Sequence, residues 1–293
     1  MRTTTPCWQV PRGLGLLALA LLVALGGCGQ RATPTPLSPA PVPPAATAVP
    51  PTAMPPTPVP TIPAAARGYV PILSYHQVRE WTADDSEEDR AYITPPPVLA
   101  SQLAYLRKAG YQSVSAAQVY AYYALGQPLP PKPVMLSFDD SDATHYTVAR
   151  PFVRQYGFSA TFFVMTVVLG NEGYLTPEQV RGLDREGFDI QPHTWDHHMV
   201  TQYTTEHDWV RQIVEPRQYL EALLGHPTPF FAYPFGIYDA AAAQHLRFSS
   251  YLAAFRLRED MDPATDPLFA IERRIANPYW THDQFLAAIQ GGP

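Results

Sequence analysis

From residue 69 onward, short runs of apolar residues alternate with segments in which apolar residues recur at helical spacing. Runs such as 134–138 have the length of buried strands, and helical segments end at glycines such as Gly110 and Gly157. This alternation is typical of β/α units with parallel strands. Strands are predicted at 70–75, 134–138, 160–164, 188–191, 230–233, 251–255 and 269–275, and helices at 97–109, 115–125, 146–156, 177–187, 206–224 and 281–289.

Six or seven strands, most of them followed by a helix, favour an α/β fold in the form of a small or irregular β/α barrel. A doubly wound open sheet is the alternative. In both folds the active site lies at the C-terminal ends of the strands. The residues directly after each apolar run are therefore the first candidates for chemistry.

The first 66 residues follow a different pattern. An apolar run at 14–25 follows Arg2 and Arg12 and is shorter than the roughly 20 residues that cross a bilayer, as in an export signal. The run ends in the segment LGGC at 25–28, which resembles the lipobox of bacterial lipoproteins; an ordinary secretory signal with an incidental cysteine is the alternative. Of the 30 residues at 34–63, 13 are proline, which predicts an extended spacer.

We therefore expect a lipoprotein signal peptide at 1–27, a lipidated Cys28 with a Pro-rich linker at 28–66, and a folded domain at 67–293. Such a protein would be extracytoplasmic and lipid-anchored to the bacterial membrane. The formal net charge of −6 argues against a nucleic acid partner. Both cysteines, Cys7 and Cys28, precede the domain, so a metal in it would be bound by His, Asp or Glu.

Carboxylates and histidines follow two of the predicted strands. Asp139 and Asp140 come after the strand at 134–138, and His193 and His197 come after the strand at 188–191. On a helical turn, histidines spaced i, i+4 share one face and can bind one ion. Alone, an Asp pair is more often a helix cap and a His pair more often structural. Together at two strand ends they favour a catalytic metal site with positions open to water and substrate.

Three segments in this order resemble the motifs of the polysaccharide deacetylases, the NodB-like carbohydrate esterases of family 4. SFDD at 137–140 resembles their first motif, TFDD; HTWDH at 193–197 resembles the second, H-[ST]-x-x-H; and AYPFG at 232–236 lies where the third, R-x-P-[YF]-G, falls. PILSYH at 71–76 is similar to the L-x-Y-H strand of one branch. The resemblance covers about residues 69–289 and implies a distorted (β/α) barrel of the NodB-homology type with an open groove for a polymer.

The same resemblance implies roles for individual residues. Asp139 would be the general base, and Asp140, His193 and His197 would hold one divalent metal, zinc first, with cobalt, nickel and manganese as alternatives. The backbone N–H of Phe235 would donate to the oxyanion, a contribution typically worth about 10² to 10³ in rate.

The chain departs from the family pattern at three places. Ser141 replaces a glycine, and Ala232 replaces the arginine that orients the base, so we expect Asp139 to lack its cationic partner. The histidine that serves as general acid is not recognisable near 271–275. The branch of the family that deacetylates poly-N-acetylglucosamine has similar losses. This sequence resembles that branch most in its motif pattern.

Other residues are expected close to the site or away from it. His282 is expected to be a cap-region residue rather than the missing acid, and His198 a neighbour of the ligands. Four residues are expected near the site, with His76 the strongest candidate for a place beside the metal; they are His76, Tyr75, Pro234 and Arg273.

The resemblance implies a metal-dependent hydrolase that removes N-acetyl groups from an N-acetylglucosamine polysaccharide, either an exopolysaccharide or a cell-wall glycan. The alternatives are a catalytically impaired carbohydrate-binding lipoprotein and an esterase that removes O-acetyl groups from another polysaccharide. We expect a monomer whose partners are the N-acetylated polysaccharide and, through its lipid, the membrane.

Overall fold

The computed structural model of the 293-residue chain describes residues 66–257 and 267–291. The predicted signal peptide, Cys28 and almost all of the Pro-rich linker lie outside the described residues, and these assignments stay predictions. Among the described residues, no helix has both the length and the apolar character that crossing a bilayer requires.

In the described part of the chain, parallel strands form two sheets. All but one strand of the larger sheet follow one order, which is β5 (Asp189–Pro192), β4 (Thr161–Val164), β3 (Pro133–Asp139), β1 (Ile72–Tyr75) and β9 (Arg274–Ile275). The remaining strand, β2 (Gln112–Ser113), pairs with β3. The smaller sheet contains β6 (Phe230–Ala232), β7 (Ala253–Arg256) and β8 (Ile271–Glu272).

Side chains alternate between two buried environments along the central strands. Leu136 and Phe138 of β3 belong to the cluster that packs against the helices, whereas Met135 belongs to the cluster shared with Phe230 and Phe255 of the smaller sheet. Strands buried on both faces have apolar runs without polar alternation. Asp139 lies one residue after Phe138 and therefore points into the space between the sheets, away from the helices.

Helices connect most strands: α1 (Glu87–Arg90), α2 (Pro96–Lys108), α3 (Ala116–Leu125), α4 (Arg150–Gln155), α5 (Pro177–Arg185), α6 (Glu206–Trp209), α7 (Glu215–Leu224), α8 (Ala240–Phe248) and α9 (His282–Ile289). The capping box expected at Thr176 is confirmed, because its hydroxyl accepts from the N–H of Gln179. Gly126 ends α3 at φ 69°. Five-residue π-helical turns precede α4 (His145–Ala149) and α7 (Val210–Val214), and α8 was not predicted.

The predicted strand at 269–275 is wrong as a single element. It divides into β8, which pairs with β7, and β9, which pairs with β1, so Arg273 lies at the point where the chain passes from one sheet to the other. At the opposite edge, the N–H of Phe230 in β6 donates to Oε1 of Gln191 in β5 at 3.0 Å. The sheets thus adjoin at both edges without a backbone ladder between β5 and β6, and the predicted parallel α/β class is confirmed.

Candidate active site

A cavity of about 720 Å³ brings together most of the residues selected from the sequence. Residues after β1, β3, β5 and β6 contribute to its wall, as expected for the C-terminal edge of parallel strands. The predicted residues that line it are His76, Asp139, Asp140, His193, His197 and Phe235.

Asp140, His193 and His197 form a cluster able to hold a metal ion. Oδ1 of Asp140 lies 3.3 Å from Nε2 of each histidine, and the three ligand atoms lie within 4.8 Å of one another. Oδ1 is buried and has no hydrogen-bond partner. A buried carboxylate oxygen without a donor, facing two imidazole nitrogens, fits a divalent cation.

Hydrogen bonds orient the His193 ring and hold the main chain of His197 beside Asp140. Nδ1 of His193 lies 2.7 Å from the carbonyl oxygen of Ala232, so an N–H there donates to the carbonyl and leaves Nε2 free to bind an ion. The N–H of His197 donates to Oγ1 of Thr194 at 2.9 Å. Ala232 therefore contributes to the site through its main chain.

Electrostatics favour the ligand forms of these groups. Burial and, to a smaller extent, the neighbouring His193 together lower the pKa of His197 to about 4, so His197 is neutral at pH 7. Burial by itself would raise the pKa of Asp140, but His193, His76 and His197 outweigh this effect and hold that pKa well below its usual range. A neutral imidazole and an ionised carboxylate are the forms that bind a metal.

The expectation that His193 and His197 lie on a helical turn is wrong. The segment after β5 is an irregular loop in which Thr194 and His197 both have φ 67°, in the left-handed region. The two ring centroids are nonetheless 4.9 Å apart. Left-handed backbone at non-glycine residues costs free energy and persists where the surroundings fix it, often at functional sites.

The same strain occurs in the turn after β3. Asp140 and Ser141 have φ 77° and 62°, and Ser141 replaces the family's glycine at a position that needs this conformation. The Ser141 hydroxyl accepts from the N–H of Met165 at 2.9 Å and donates to its carbonyl at 3.2 Å. These two hydrogen bonds hold the turn that presents Asp140.

Asp139 has a cationic partner, and the expectation that it lacks one is wrong. Nη1 of Arg273 donates to Oδ1 of Asp139 at 2.7 Å, and both side chains are buried. Nη1 also donates to the Ser137 hydroxyl at 3.1 Å, and the Ser74 hydroxyl donates to Oδ2 of Asp139 at 3.3 Å. From the junction between β8 and β9, Arg273 thus supplies the cationic partner that we expected to be lost with Ala232.

This partnership keeps Asp139 ionised. Burial by itself would raise the pKa of Asp139, but the positive charge of Arg273 and the hydrogen bond that it donates outweigh this effect. The pKa therefore lies below its usual range. A carboxylate that is ionised at neutral pH can accept a proton.

Phe235 lies at the rim of the cavity. Its backbone has φ 59°, its side chain is 51% exposed, and its ring centroid lies 4.5 Å from that of His197. A Cβ on the following Gly236 would come within 2.3 Å of the Leu257 backbone, so only glycine fits there. Pro234 is buried in the same turn and does not line the cavity.

His76 and Tyr75 point in opposite directions. His76 lines the cavity, and its buried Nδ1 has no hydrogen-bond partner. Its carbonyl lies 2.7 Å from Nε2 of the buried His145, a contact not predicted from the sequence. Tyr75 stacks on Phe138 in the core, so its predicted place near the site is wrong; successive side chains of a strand face opposite sides.

Two other histidines lie away from the cavity wall. His282 begins α9 and lines a separate pocket of about 280 Å³, where its ring packs edge-on against Tyr105 at 4.4 Å. Its predicted position at the helix cap is confirmed, with Thr281 as the cap itself. His198 is exposed and is not part of the cavity wall.

Carboxylates and histidines gathered at the ends of parallel strands can bind a metal ion and transfer protons, as hydrolytic sites require. Residues 126–253 match the sequence profile of the family described as Polysaccharide deacetylase. Over this segment, 128 of the 293 residues, the chain is similar to the polysaccharide deacetylases.

Individual relatives extend over more of the chain. The solved structure of the Streptococcus pyogenes deacetylase PplD in complex with acetate superposes with a TM-score of 0.66 and 27% identity, and covers 75% of this chain and 97% of that one. Poly-beta-1,6-N-acetyl-D-glucosamine N-deacetylases of Staphylococcus aureus (strain MRSA252) and Escherichia coli (strain K12) are 22% and 26% identical. The matches cover 64% and 69% of this chain, and 71% and 36% of those proteins.

Proposed function

We propose that this chain is a polysaccharide deacetylase that removes N-acetyl groups from a polymer of N-acetylglucosamine, with one divalent cation held by Asp140, His193 and His197. The observation that carries the proposal is the buried Oδ1 of Asp140, 3.3 Å from two imidazole nitrogens and without a hydrogen-bond donor. The names of the S. aureus and E. coli relatives support β-1,6-linked N-acetylglucosamine as the substrate. This chain spans only about a third of the E. coli protein.

Two imidazoles and one carboxylate suit zinc, with cobalt, nickel and manganese as alternatives. A cation held here supplies Lewis-acid chemistry, because it polarises a carbonyl oxygen and lowers the pKa of water. The side chains around the cluster then account for the movements of protons.

Asp139 accepts a proton from the water whose oxygen attacks the acetamide carbon. The backbone N–H of Phe235 donates to the carbonyl oxygen as it gains negative charge. When the carbon–nitrogen bond breaks, the departing nitrogen takes a proton from His76, which is the remaining imidazole in the described cavity wall that is not a ligand. The products are acetate and a glycan with a free amine.

An active site is favoured over the alternative of a catalytically impaired carbohydrate-binding lipoprotein. That alternative rests on the loss of the arginine at position 232 and of the general-acid histidine, and Arg273 beside Asp139 replaces the first of these. A protein that only binds glycan does not need a buried, ionised carboxylate such as Asp139 beside the three residues that can bind a metal. The O-acetyl esterase alternative would use the same residues and is distinguished by experiment.

The test is to incubate the purified chain with N-acetylated and O-acetylated oligosaccharides and to measure both acetate and newly formed amine. N-deacetylation gives equal amounts of acetate and amine, and a chelator should abolish both. Acetate without amine would establish the esterase instead, and neither product from any substrate would contradict an enzymatic role.

We also propose that a lipid on Cys28 holds the protein at the outer face of a bacterial membrane. The LGGC segment at the end of the apolar run supports this location. Cys28→Ser should move the protein from the membrane fraction to the medium or leave an unprocessed precursor. Correctly processed, membrane-bound Cys28→Ser protein would overturn the proposal.

A further inference from the structure

Two aromatic side chains outside the cavity stack on each other near the surface. The ring centroids of Trp81 and Tyr279 are 5.0 Å apart with an interplanar angle of 29°. The Tyr279 side chain is 50% exposed, and Trp81 is partly exposed. Neither ring is used by the proposed chemistry, so this aromatic pair needs its own explanation.

The aromatic pair lies at the same edge of the sheet as the catalytic residues. Trp81 belongs to the segment that follows β1, and Tyr279 follows β9, the neighbouring parallel strand. Both loops leave the C-terminal ends of their strands, as do the loops that carry Asp140 and His193. Loops of this kind extend the wall of an active site along the sheet edge.

Contacts with the cavity wall connect the pair to the site. Nε1 of Trp81 donates to the carbonyl of Ile93 at 2.9 Å, and Ile93 lines the cavity. Tyr92, 46% exposed, lines the cavity from the same segment and packs edge-on against His76, with centroids 5.0 Å apart. Trp81 therefore joins the pair to the cavity wall at Ile93, and Tyr92 adds an exposed ring to the same part of that wall.

The Trp81 ring is held in place before any ligand arrives. Its Nε1 donates to the Ile93 carbonyl at 2.9 Å, and the Tyr279 ring stacks against it, with 5.0 Å between the ring centroids. A preorganised ring loses little side-chain entropy when a ligand stacks on it. Fixed, exposed aromatic surface beside a cavity is suited to contact with the apolar face of a sugar ring.

The charge of the surrounding segment restricts the kind of glycan. Residues 79–90 contain six carboxylates and two arginines. A surface of this sign repels anionic polymers and accepts a neutral or cationic chain. Glycans made of N-acetylglucosamine, with or without some free amines, meet this requirement.

We propose that Trp81 and Tyr279 form a binding subsite for a hexosamine unit of the same glycan chain whose acetyl group lies in the catalytic cavity. The inference rests on the proposed function and adds to it a preference for long chains. A short oligomer fills only the cavity, whereas a longer oligomer also stacks on the pair. Binding and kcat/KM should therefore increase with chain length.

The test uses the purified full chain with a dimer and a hexamer of β-1,6-linked N-acetylglucosamine. Tyr279→Ala should lower kcat/KM for the hexamer about tenfold, mainly by raising KM. An effect of this size corresponds to the loss of one well-stacked ring. For the N-acetylglucosamine dimer, kcat/KM of Tyr279→Ala should equal that of the wild type. Tyr279→Phe keeps the ring and should keep the preference, and Tyr219→Ala, which removes a comparably exposed tyrosine from α7, should change neither substrate.

Equilibrium binding of the hexamer, measured on the same proteins, separates this inference from the proposed function. Hexamer binding that weakens about tenfold in Tyr279→Ala without any acetate release would support the subsite and contradict the deacetylation. If acetate is released and the dissociation constants for the hexamer are equal in Tyr279→Ala and Tyr219→Ala, the subsite is overturned and the deacetylation still stands. Failure of the wild type both to bind the hexamer and to release acetate would overturn both.

Discussion

Arg273 donates from Nη1 to Oδ1 of Asp139 at 2.7 Å, although the two residues are 134 positions apart in the sequence. The pair is buried, and the guanidinium also packs over the Phe163 ring, 4.9 Å from its centroid. Arg273 lies where the chain leaves the smaller sheet and enters the larger one. A single buried cation therefore contributes both to the junction of the sheets and to the charge state of the proposed base.

Removing this cation alone should destabilise the protein. Arg273→Met leaves the buried Asp139 carboxylate unpaired, which should cost about 3–5 kcal/mol of unfolding free energy. Denaturant unfolding of Arg273→Met, Asp139→Asn and the double variant measures the coupling. The double variant should be more stable than Arg273→Met; strictly additive losses would show that the two charges are not coupled.

The same pair predicts a change in the pH profile. Arg273 favours the charged form of Asp139, so its loss raises the pKa of that carboxyl, and the base becomes protonated at a higher pH. The acid limb of kcat/KM should therefore move to higher pH in Arg273→Met. Arg273→Lys, which keeps a positive charge, should move it less. An acid limb that stays in place in both variants would mean that Asp139 is not the group that titrates.

Asp139→Asn should retain the metal and lose most turnover. The amide cannot accept the proton from the attacking water, and general-base catalysis is worth about 10² to 10⁴ in rate. Acetate release and metal content are measured on one preparation. Activity within a few-fold of the wild type would show that Asp139 serves the structure and that the base is another group.

Metal content should depend on the histidine pair. The wild-type chain should contain one divalent ion, and the His193→Ala/His197→Ala double variant should lose it, because only Asp140 remains as a ligand. His198→Ala is the matched control, since His198 is exposed and outside the cavity wall. Elemental analysis gives the answer directly, and full metal content in the double variant would refute this ligand set.

His76 and His282 should differ strongly in their effect on catalysis. His76→Ala removes the proposed proton donor and should reduce kcat by about 10² or more. His282→Ala should have little effect, because His282 packs against Tyr105 in a separate pocket. Near-complete loss of activity in His282→Ala, with loss of the alkaline limb, would place the acid on α9 instead.

Local sequence patterns determined the secondary structure and the residues at the strand ends. The apolar run before Asp139, interrupted only by Ser137, predicts β3, because a strand buried on both faces needs few polar positions. Thr176 and Gln179 predict the start of α5, because their side chains satisfy backbone groups only three residues away. Such signals depend on neighbours in the chain, and the order of parallel strand ends then brings Asp140 near His193 and His197.

Only the tertiary structure decided which charges and which loop conformations complete the site. No local pattern indicates that Arg273 reaches Asp139, because the contact exists only when β9 pairs with β1. Likewise, His145 contacts the His76 carbonyl across 69 residues. The spacing of His193 and His197 predicted a helical turn, whereas packing and hydrogen bonds to Thr194 and Ala232 hold a left-handed loop. Contacts between distant strands, and strain sustained by them, are properties of the folded chain rather than of any segment of it.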